Sequence, residues 1–174
     1  MSLAVRHTDA QNRFRTDLVA CLPRLHRFGL TLTRNRSDAD DLVQTVCEKA
    51  IQNADSWQVG TRLDSWLFTM MRNTWISELR KRSVRVGAGQ EDAGESDALN
   101  TPVTPEDEAY GKQLLGLIHG LPEGLSSVLL LVSVEGYSYQ DAADILDIPI
   151  GTVMSRMSNA RKRLRAALAA TGTQ

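Results

Sequence analysis

The sequence predicts an all-α protein with two small helical domains joined by a flexible acidic linker, the second domain containing a helix-turn-helix. Apolar residues recur at three- and four-residue steps in both parts of the chain, as on amphipathic helices. Between them lies a segment rich in Gly, Asp, Glu, Ser and Pro with no apolar periodicity. No stretch of useful length alternates as a strand would. We place the first domain at residues 10–84, the linker at 85–104 and the second domain at 105–170.

Three helices are predicted in the first domain. The first has an apolar face made of Phe14, Leu18, Cys21, Leu22, Leu25 and Phe28. Ser37 with Asp40, and Thr61 with Asp64, have the spacing of capping pairs and predict the starts of the next two. The third helix has an apolar face made of Trp66, Leu67, Met70, Met71, Trp75 and Leu79.

The second domain begins with a predicted helix start at Thr104–Pro105, and Pro122 opens a further helix that Gly136 ends. Ser138 then caps a short helix that runs to about Leu146. The inward side of this short helix is formed by Ala142, Ala143, Ile145 and Leu146. Asp147, Ile148 and Pro149 break it, and a last helix starts at Gly151–Thr152 and runs to about Ala169.

The residue composition gives little support to an enzymatic function. Cys21 and Cys47 fall among apolar residues, so we expect buried, reduced thiols, and the cysteines and histidines lack metal-ligand spacing. A phosphate-binding loop and a nucleophile elbow are also missing, so we expect no catalytic residue, metal or cofactor. The sequence lacks a run of about 18 apolar residues and a signal peptide, so we expect a cytoplasmic protein without a membrane span.

Charge is distributed unevenly although the net charge is only −1. Residues 62–85 are mainly basic, and the chain after Asp147 has no acid. Between them, residues 86–108 contain acids and no base: Glu91, Asp92, Glu95, Asp97, Glu106, Asp107 and Glu108. Two basic surfaces therefore flank an acidic segment, and basic surfaces of this kind bind the phosphates of nucleic acids.

The last two helices have the form of a helix-turn-helix, whose second helix enters the major groove. The residues of its first turns that can face base edges are Thr152, Met154, Ser155, Ser158 and Asn159. Arg156, Arg161 and Arg163 are better placed for phosphates, which position a protein on DNA without specifying sequence.

Several segments together resemble the extracytoplasmic-function sigma factors of the sigma-70 family. Residues 135–139, 142–143, 148–156 and 160–161 are similar to the −35 element reader of that family. Asp38-Ala39-Asp40-Asp41-Leu42-Val43-Gln44 resembles the segment that docks on the β′ clamp helices of RNA polymerase. Trp66-Leu67-Phe68-Thr69-Met70-Met71-Arg72-Asn73, with Arg80-Lys81-Arg82, resembles the helix that opens and reads the −10 element. The resemblance covers roughly residues 10–168.

The resemblance implies a non-enzymatic protein that directs core RNA polymerase to promoter DNA. The implied −10 residues are Trp57, Arg62, Arg72, Asn73, Arg80 and Lys81. The implied docking residues are Asp41, Leu42 and Gln44, on the β′ clamp helices, with the β flap as a second polymerase contact. It also implies an anti-sigma factor as a regulatory partner, with release under stress. Two other interpretations stay open: a conventional dimeric activator, and an interaction protein that binds an inhibitor in place of polymerase.

Overall fold

The computed structural model describes residues 3–87 and 107–171, with side chains described over 9–87 and 111–170. Seven α-helices and no strand lie in these ranges, which confirms the all-α prediction. The helices are α1 (Leu3–Thr33), α2 (Arg36–Gln52), α3 (Leu63–Gly87), α4 (Asp107–His119), α5 (Glu123–Leu129), α6 (Tyr139–Leu146) and α7 (Ile150–Thr171). A 3₁₀ turn, Ala54–Ser56, precedes α3, and a π-helical turn, Leu130–Val134, continues α5.

Helices α1–α3 form an N-terminal unit around the buried side chains of Phe28, Phe68 and Met71. The predicted apolar face of α1 lies inward, although Cys21 and Leu22 are only half-buried. Leu79, predicted for the apolar face of α3, is instead 42% exposed. Trp75 is the last buried side chain of α3, so Leu79 faces solvent, although Arg82 farther along still pairs with Asp38 of α2 (Nη2 to Oδ1, 2.9 Å).

The two predicted caps of this unit are wrong. Helix α2 is capped by Asn35, whose side chain accepts a hydrogen bond from the backbone N–H of Asp38, while Ser37 is exposed. Arg34, in the left-handed region at φ 57°, turns the chain between α1 and α2, which places Asn35 at the cap position. Helix α3 begins at Leu63, and the hydroxyl of Thr61, its predicted cap, instead donates to the Gln58 carbonyl.

Helices α4–α7 form a C-terminal unit that contains the predicted helix-turn-helix. The Ser138 side chain accepts from the backbone N–H of Asp141 and caps α6, as predicted. The inward side of α6 is buried as expected. Asp147, in the left-handed region at φ 51°, ends α6, and α7 begins at Ile150. Val153, Met157 and Ala160 anchor α7 to the core.

The predicted domain edges fall partly outside the described residues. Residues 85–87, assigned to the linker, continue α3, and α3 therefore ends three residues later than expected. Residues 88–104 of the linker and the helix start at Thr104–Pro105 lie outside the described residues.

The two units pack against each other, an arrangement that the sequence did not predict. Buried residues of both belong to one apolar cluster, in which α3 contacts α6 and α1 contacts α5. Phe68 lies at the junction, with ring centroids 5.0 Å from Phe28 and 5.8 Å from Tyr137, both edge-on. Such edge-to-face aromatic pairs add to the stabilisation from apolar burial.

A charged cluster lies beside this aromatic contact. Arg24 pairs with Asp64 (Nη1 to Oδ2, 2.7 Å), and Arg62 pairs with the same carboxylate (Nη2 to Oδ2, 3.0 Å). Burial alone would raise the pKa of Asp64, but the hydrogen bonds from Arg62 and Arg24 outweigh it and hold that pKa at about 2. Asp64 therefore remains ionised and links the start of α3 to α1.

We predict that Asn35→Ala lowers the free energy of unfolding by about 1 kcal/mol, because it removes the side-chain acceptor at the start of α2. Ser37→Ala is the matched control and should change it by less than about 0.5 kcal/mol, since Ser37 is exposed and is not the cap. Urea denaturation followed by circular dichroism measures both. The reverse order of effects would contradict the assignment of the cap.

We predict that Asp64→Asn lowers the free energy of unfolding by about 2 kcal/mol at pH 7. The reason is that the lowered pKa of Asp64 in the folded state measures how strongly its ion pairs stabilise the fold. The carboxylate contributes stability above its unfolded pKa of about 3.9, and this contribution is lost as the pH falls toward its folded pKa of about 2. The difference between wild type and variant should therefore shrink progressively below about pH 5.

Urea titrations between pH 7 and pH 3 measure this difference, with the exposed Asp55→Asn as a control for the loss of one acid. A difference that stays constant over this range would contradict the role given to the Asp64 ion pairs.

Candidate nucleic-acid interface

Helix α7 presents the predicted base-reading residues on one exposed surface. With Val153, Met157 and Ala160 facing the core, Met154 is 51% exposed, and Ser155, Ser158 and Asn159 are also exposed. Thr152 is half-buried, and its carbonyl accepts a hydrogen bond from the Ser155 hydroxyl (3.1 Å). The structure thus brings together four of the five residues as a surface that can face base edges.

The phosphate-binding residues predicted on α7 separate into two groups. Arg161 and Arg163 are exposed, together with Lys162 and Arg165, and give the second half of α7 a strongly basic surface. Arg156 is half-buried and its guanidinium lies against Gly124 at the start of α5, where a β-carbon would come within 3.1 Å of it.

Arg156 therefore packs across α5. Burial raises the pKa of the neighbouring Glu123, and the charge of Arg156 opposes that rise. Gly124 leaves the space that the guanidinium occupies. The sequence carried no signal for this contact, because the two residues lie in different helices.

The residues predicted for the −10 element are distributed along α3 and the turn before it. Asn73, Arg80 and Lys81 are exposed, and Lys81 pairs with Glu78 at 3.0 Å. Arg72 is half-buried, and its Nη1 donates to Asn73 (3.2 Å) and to Asp147 of the C-terminal unit (3.4 Å). Arg62 lies 4.1 Å over the ring of Tyr137, which also belongs to the C-terminal unit.

An open groove of about 340 Å³ runs between α2 and α3 beside Asn73. Its lining residues are Lys49, Trp66, Thr69, Met70, Asn73, Thr74 and Ser77. The Lys49 ammonium donates to the Thr74 hydroxyl across it (3.1 Å). Sequence reasoning named Asn73 but missed Lys49 and the rest of the groove. The signal was the helical spacing of residues 66, 70, 73 and 77, of which Trp66 and Met70 were assigned to the apolar face of α3.

Trp57 does not lie in this groove. Its ring packs on Phe14, with centroids 5.9 Å apart, and its indole nitrogen is buried without an acceptor among the described residues. Trp57 and Val59 line a separate hollow of about 410 Å³ beside the first described turns of α1. The structure therefore does not bring Trp57 and Asn73 together around one base site.

The predicted polymerase-docking residues on α2 do not form one surface. Asp41 and Gln44 are exposed, and Gln44 donates to Glu48 one turn later (3.1 Å). Leu42 is a core residue with only 4% exposed, so its prediction as a docking side chain is corrected. It follows Asp41 in sequence but points inward, because successive helix residues differ by about 100° around the axis.

Residues 3–87 and 107–171 contain no helix able to span a membrane and no cluster of metal-ligand side chains. Both cysteines are half-buried free thiols, and burial raises the pKa of Cys21 and of Cys47. A raised pKa disfavours the reactive thiolate.

Comparison with known proteins matches both units. The family description "Sigma-70 region 2" matches residues 18–85, and "Sigma-70, region 4" matches residues 111–164. The ECF RNA polymerase sigma factor EcfG of Rhodopseudomonas palustris is 38% identical over 162 residues, which cover 92% of this chain and 87% of the relative. The ECF RNA polymerase sigma-E factor of Haemophilus influenzae is 34% identical over 147 residues, which cover 78% of this chain and 77% of that relative.

A solved structure also resembles the whole fold. The sigma factor RpoE from Bartonella quintana, in complex with the anti-sigma factor NepR, superposes with a TM-score of 0.73 at 32% identity. The match covers 90% of this chain and 97% of the solved one. With both regions matched in order and relatives aligned over most of their length, this chain belongs to the extracytoplasmic-function sigma factors of the sigma-70 family.

Proposed function

We propose that this chain binds core RNA polymerase in the cytoplasm, directs it to promoters and initiates transcription there without catalysing any reaction itself. The observation that carries the proposal is the occurrence, in family order, of two helices with exposed basic residues, α3 in the region 2 match and α7 in the region 4 match. Two DNA-binding helices on one short chain fit the recognition of two promoter elements.

In this proposal α7 binds the −35 element as duplex. The exposed side chains of Ser155, Ser158 and Asn159 face base edges in the major groove, and Met154 offers an apolar contact to a thymine methyl group. Arg161 and Arg163 bind phosphates and fix the helix on the DNA. Arg156 positions α7 against α5 through its contact at Gly124, and it reaches phosphate only if that contact is released.

Helix α3 binds the −10 element as a melted strand. The groove beside Asn73 is open to solvent and holds amide, ammonium and hydroxyl groups beside the half-buried ring of Trp66. An unstacked base needs both an aromatic contact and hydrogen bonds to its edge, which this groove offers. Arg80 and Lys81 bind the strand's phosphates farther along the helix.

Core polymerase docks on the exposed side of α2 through Asp41 and Gln44, with the β′ clamp helices as partner and the β flap binding the C-terminal unit. Leu42 supports this surface from the core side. The similar sigma factor from Bartonella quintana was solved with an anti-sigma factor, and we propose that this chain is regulated by a protein of that class as well.

Transcription in vitro from genomic fragments tests the proposal. Core polymerase with the chain should yield transcripts whose start sites share −35 and −10 sequences, while core polymerase alone should not. A conventional activator would instead form a specific DNA complex by itself and would require another initiation factor.

We predict that Asn159→Ala and Arg163→Ala weaken −35 binding in different ways. Loss of a base contact at Asn159 should cost about 1–3 kcal/mol for the preferred sequence and relax the preference at one position. Loss of Arg163 should weaken binding to all sequences about equally. It should also lower the slope of log affinity against log salt concentration by about the amount that one phosphate contact contributes. Competition binding of the holoenzyme to a library of −35 duplexes, repeated at several salt concentrations, separates these effects. The same loss of preference in both variants would contradict the assignment.

We predict that Asn73→Ala reduces stable open complexes at least tenfold without changing the amount of polymerase bound by the chain. The expected loss corresponds to one or two hydrogen bonds to an unstacked base. The exposed amide of Asn12 on α1 gives a matched control, Asn12→Ala, which should leave open complexes unchanged. Heparin-resistant promoter complexes measure the effect, and equal values for the two variants would exclude Asn73 from base binding.

A further inference from the structure

The last part of α3 extends beyond the core that holds the rest of the helix. Residues 76–87 follow Trp75, the last buried side chain of α3, and span about 18 Å at 1.5 Å per residue. Exposed apolar side chains in this part are Leu79, Val84 and Val86. Apolar packing therefore does little to fix its direction, although it carries the basic residues proposed to bind the phosphates of the −10 strand.

Arg82 connects this part of α3 to the start of α2. Its guanidinium donates to both carboxylate oxygens of Asp38, from Nη1 to Oδ2 (3.1 Å) and from Nη2 to Oδ1 (2.9 Å). The central carbon of the guanidinium also lies 5.2 Å from the centre of the Trp75 ring. A planar fork with two bonds fixes the orientation of its partner, which the single ammonium of a lysine does not do.

The geometry of this ion pair separates it from an ordinary surface pair. The side chains of Arg82 and Asp38 are 38% and 29% exposed. Most surface ion pairs contribute little, because solvent screens them, but a bidentate arginine pair is the exception. The acceptor is itself held in place, since the backbone N–H of Asp38 donates to the Asn35 side chain (3.0 Å).

The direction of the Arg82 side chain decides where its neighbours point. Successive helix residues lie about 100° apart around the axis, so Arg80 lies about 160° and Lys81 about 100° from Arg82. Both Arg80 and Lys81 are exposed, and Lys81 pairs within α3 with Glu78. With Arg82 held toward α2, Arg80 therefore faces away from α2 into solvent.

Asp38 lies on the same helix as the residues proposed to bind polymerase. Asp41 and Gln44 occupy the next two turns of α2, on its exposed side. The pair of Asp38 with Arg82 thus joins the helix proposed to dock on polymerase to the part of α3 proposed to bind the melted strand.

We propose that Arg82 is a positioning residue for −10 binding. Through its fork to Asp38 it fixes the end of α3 against the docking helix, so that Arg80 and Lys81 meet the strand's phosphates when polymerase holds α2. Arg82 itself binds Asp38 and no phosphate. This inference rests on the proposed function, in which α2 docks on polymerase and α3 binds the melted strand.

A double-mutant cycle in the full-length chain tests this role. Arg82→Met removes the fork with little change in helix propensity, and Asp38→Asn removes the charge that accepts it. Holoenzyme with either variant should form about fivefold fewer heparin-resistant open complexes than wild type, the upper end for a partly exposed ion pair. The double variant should lose no more than each single variant, because the pair is already broken. Binding of every variant to core polymerase should stay unchanged.

Arg85→Met is the matched control, because it removes an exposed arginine from the same end of α3. Its effect on open complexes should be the same in the wild-type and Asp38→Asn backgrounds. Hydrogen exchange of the free chain, followed by mass spectrometry, gives a readout without DNA or polymerase. Backbone amides of residues 79–87 should exchange faster in Arg82→Met and Asp38→Asn than in wild type, and at the wild-type rate in Arg85→Met.

Two results would overturn the positioning role. One is a loss with Arg82→Met that persists undiminished in the Asp38→Asn background, as a direct phosphate contact would give. The other is exchange of residues 79–87 that breaking the pair does not change. If circular dichroism shows that Arg82→Met is unfolded, Arg82→Gln takes its place in both measurements. Wild-type holoenzyme without open complexes would instead reject the proposed function, whereas exchange of the free chain concerns the ion pair alone.

Discussion

The pairing of Glu135 with Arg24 and Arg27 is the constraint on which the arrangement of the two units depends. A carboxylate so deeply buried requires charged partners, and these are supplied by α1. Glu135 thereby fixes the π-helical turn and the start of the helix-turn-helix against the N-terminal unit. Tyr137, two residues later, is carried onto Phe68 and under Arg62.

The contact between the units affects the two helices proposed to bind DNA differently. The predicted base-reading residues Met154, Ser155, Ser158 and Asn159 stay exposed, because α7 is held by its own unit through Val153, Met157 and Ala160. At the junction Arg72 of α3 donates to Asp147, and Arg62, just before α3, lies over the ring of Tyr137. Asn73, Arg80 and Lys81 stay exposed. The predicted −35 residues therefore share one exposed surface on α7, whereas two of the predicted −10 residues contact the C-terminal unit.

Some local features were predictable from the sequence, two helix caps were not, and features that depend on another element were not. The Ser138 cap, the buried side of α6 and the break at Asp147 follow from neighbouring residues and agree with the structure. Helix α2 is capped by Asn35, two residues before the predicted Ser37, because the left-handed conformation of Arg34 ends the preceding turn there. The docking role of Leu42 and the −10 role of Trp57 were implied by the family resemblance, and the phosphate role of Arg156 by its place on a basic helix. The structure buries Leu42 in the core and packs Trp57 on Phe14 and Arg156 across α5.

Promoter melting that requires both this chain and core polymerase is the central claim, and permanganate footprinting measures it most directly. Unpaired thymines become reactive, so a promoter selected by the holoenzyme should show reactivity near the −10 element only when both proteins are present. With Asn73→Ala the reactivity should fall while protection of the −35 element is kept. Reactivity with either protein alone, or none with both, would contradict the account.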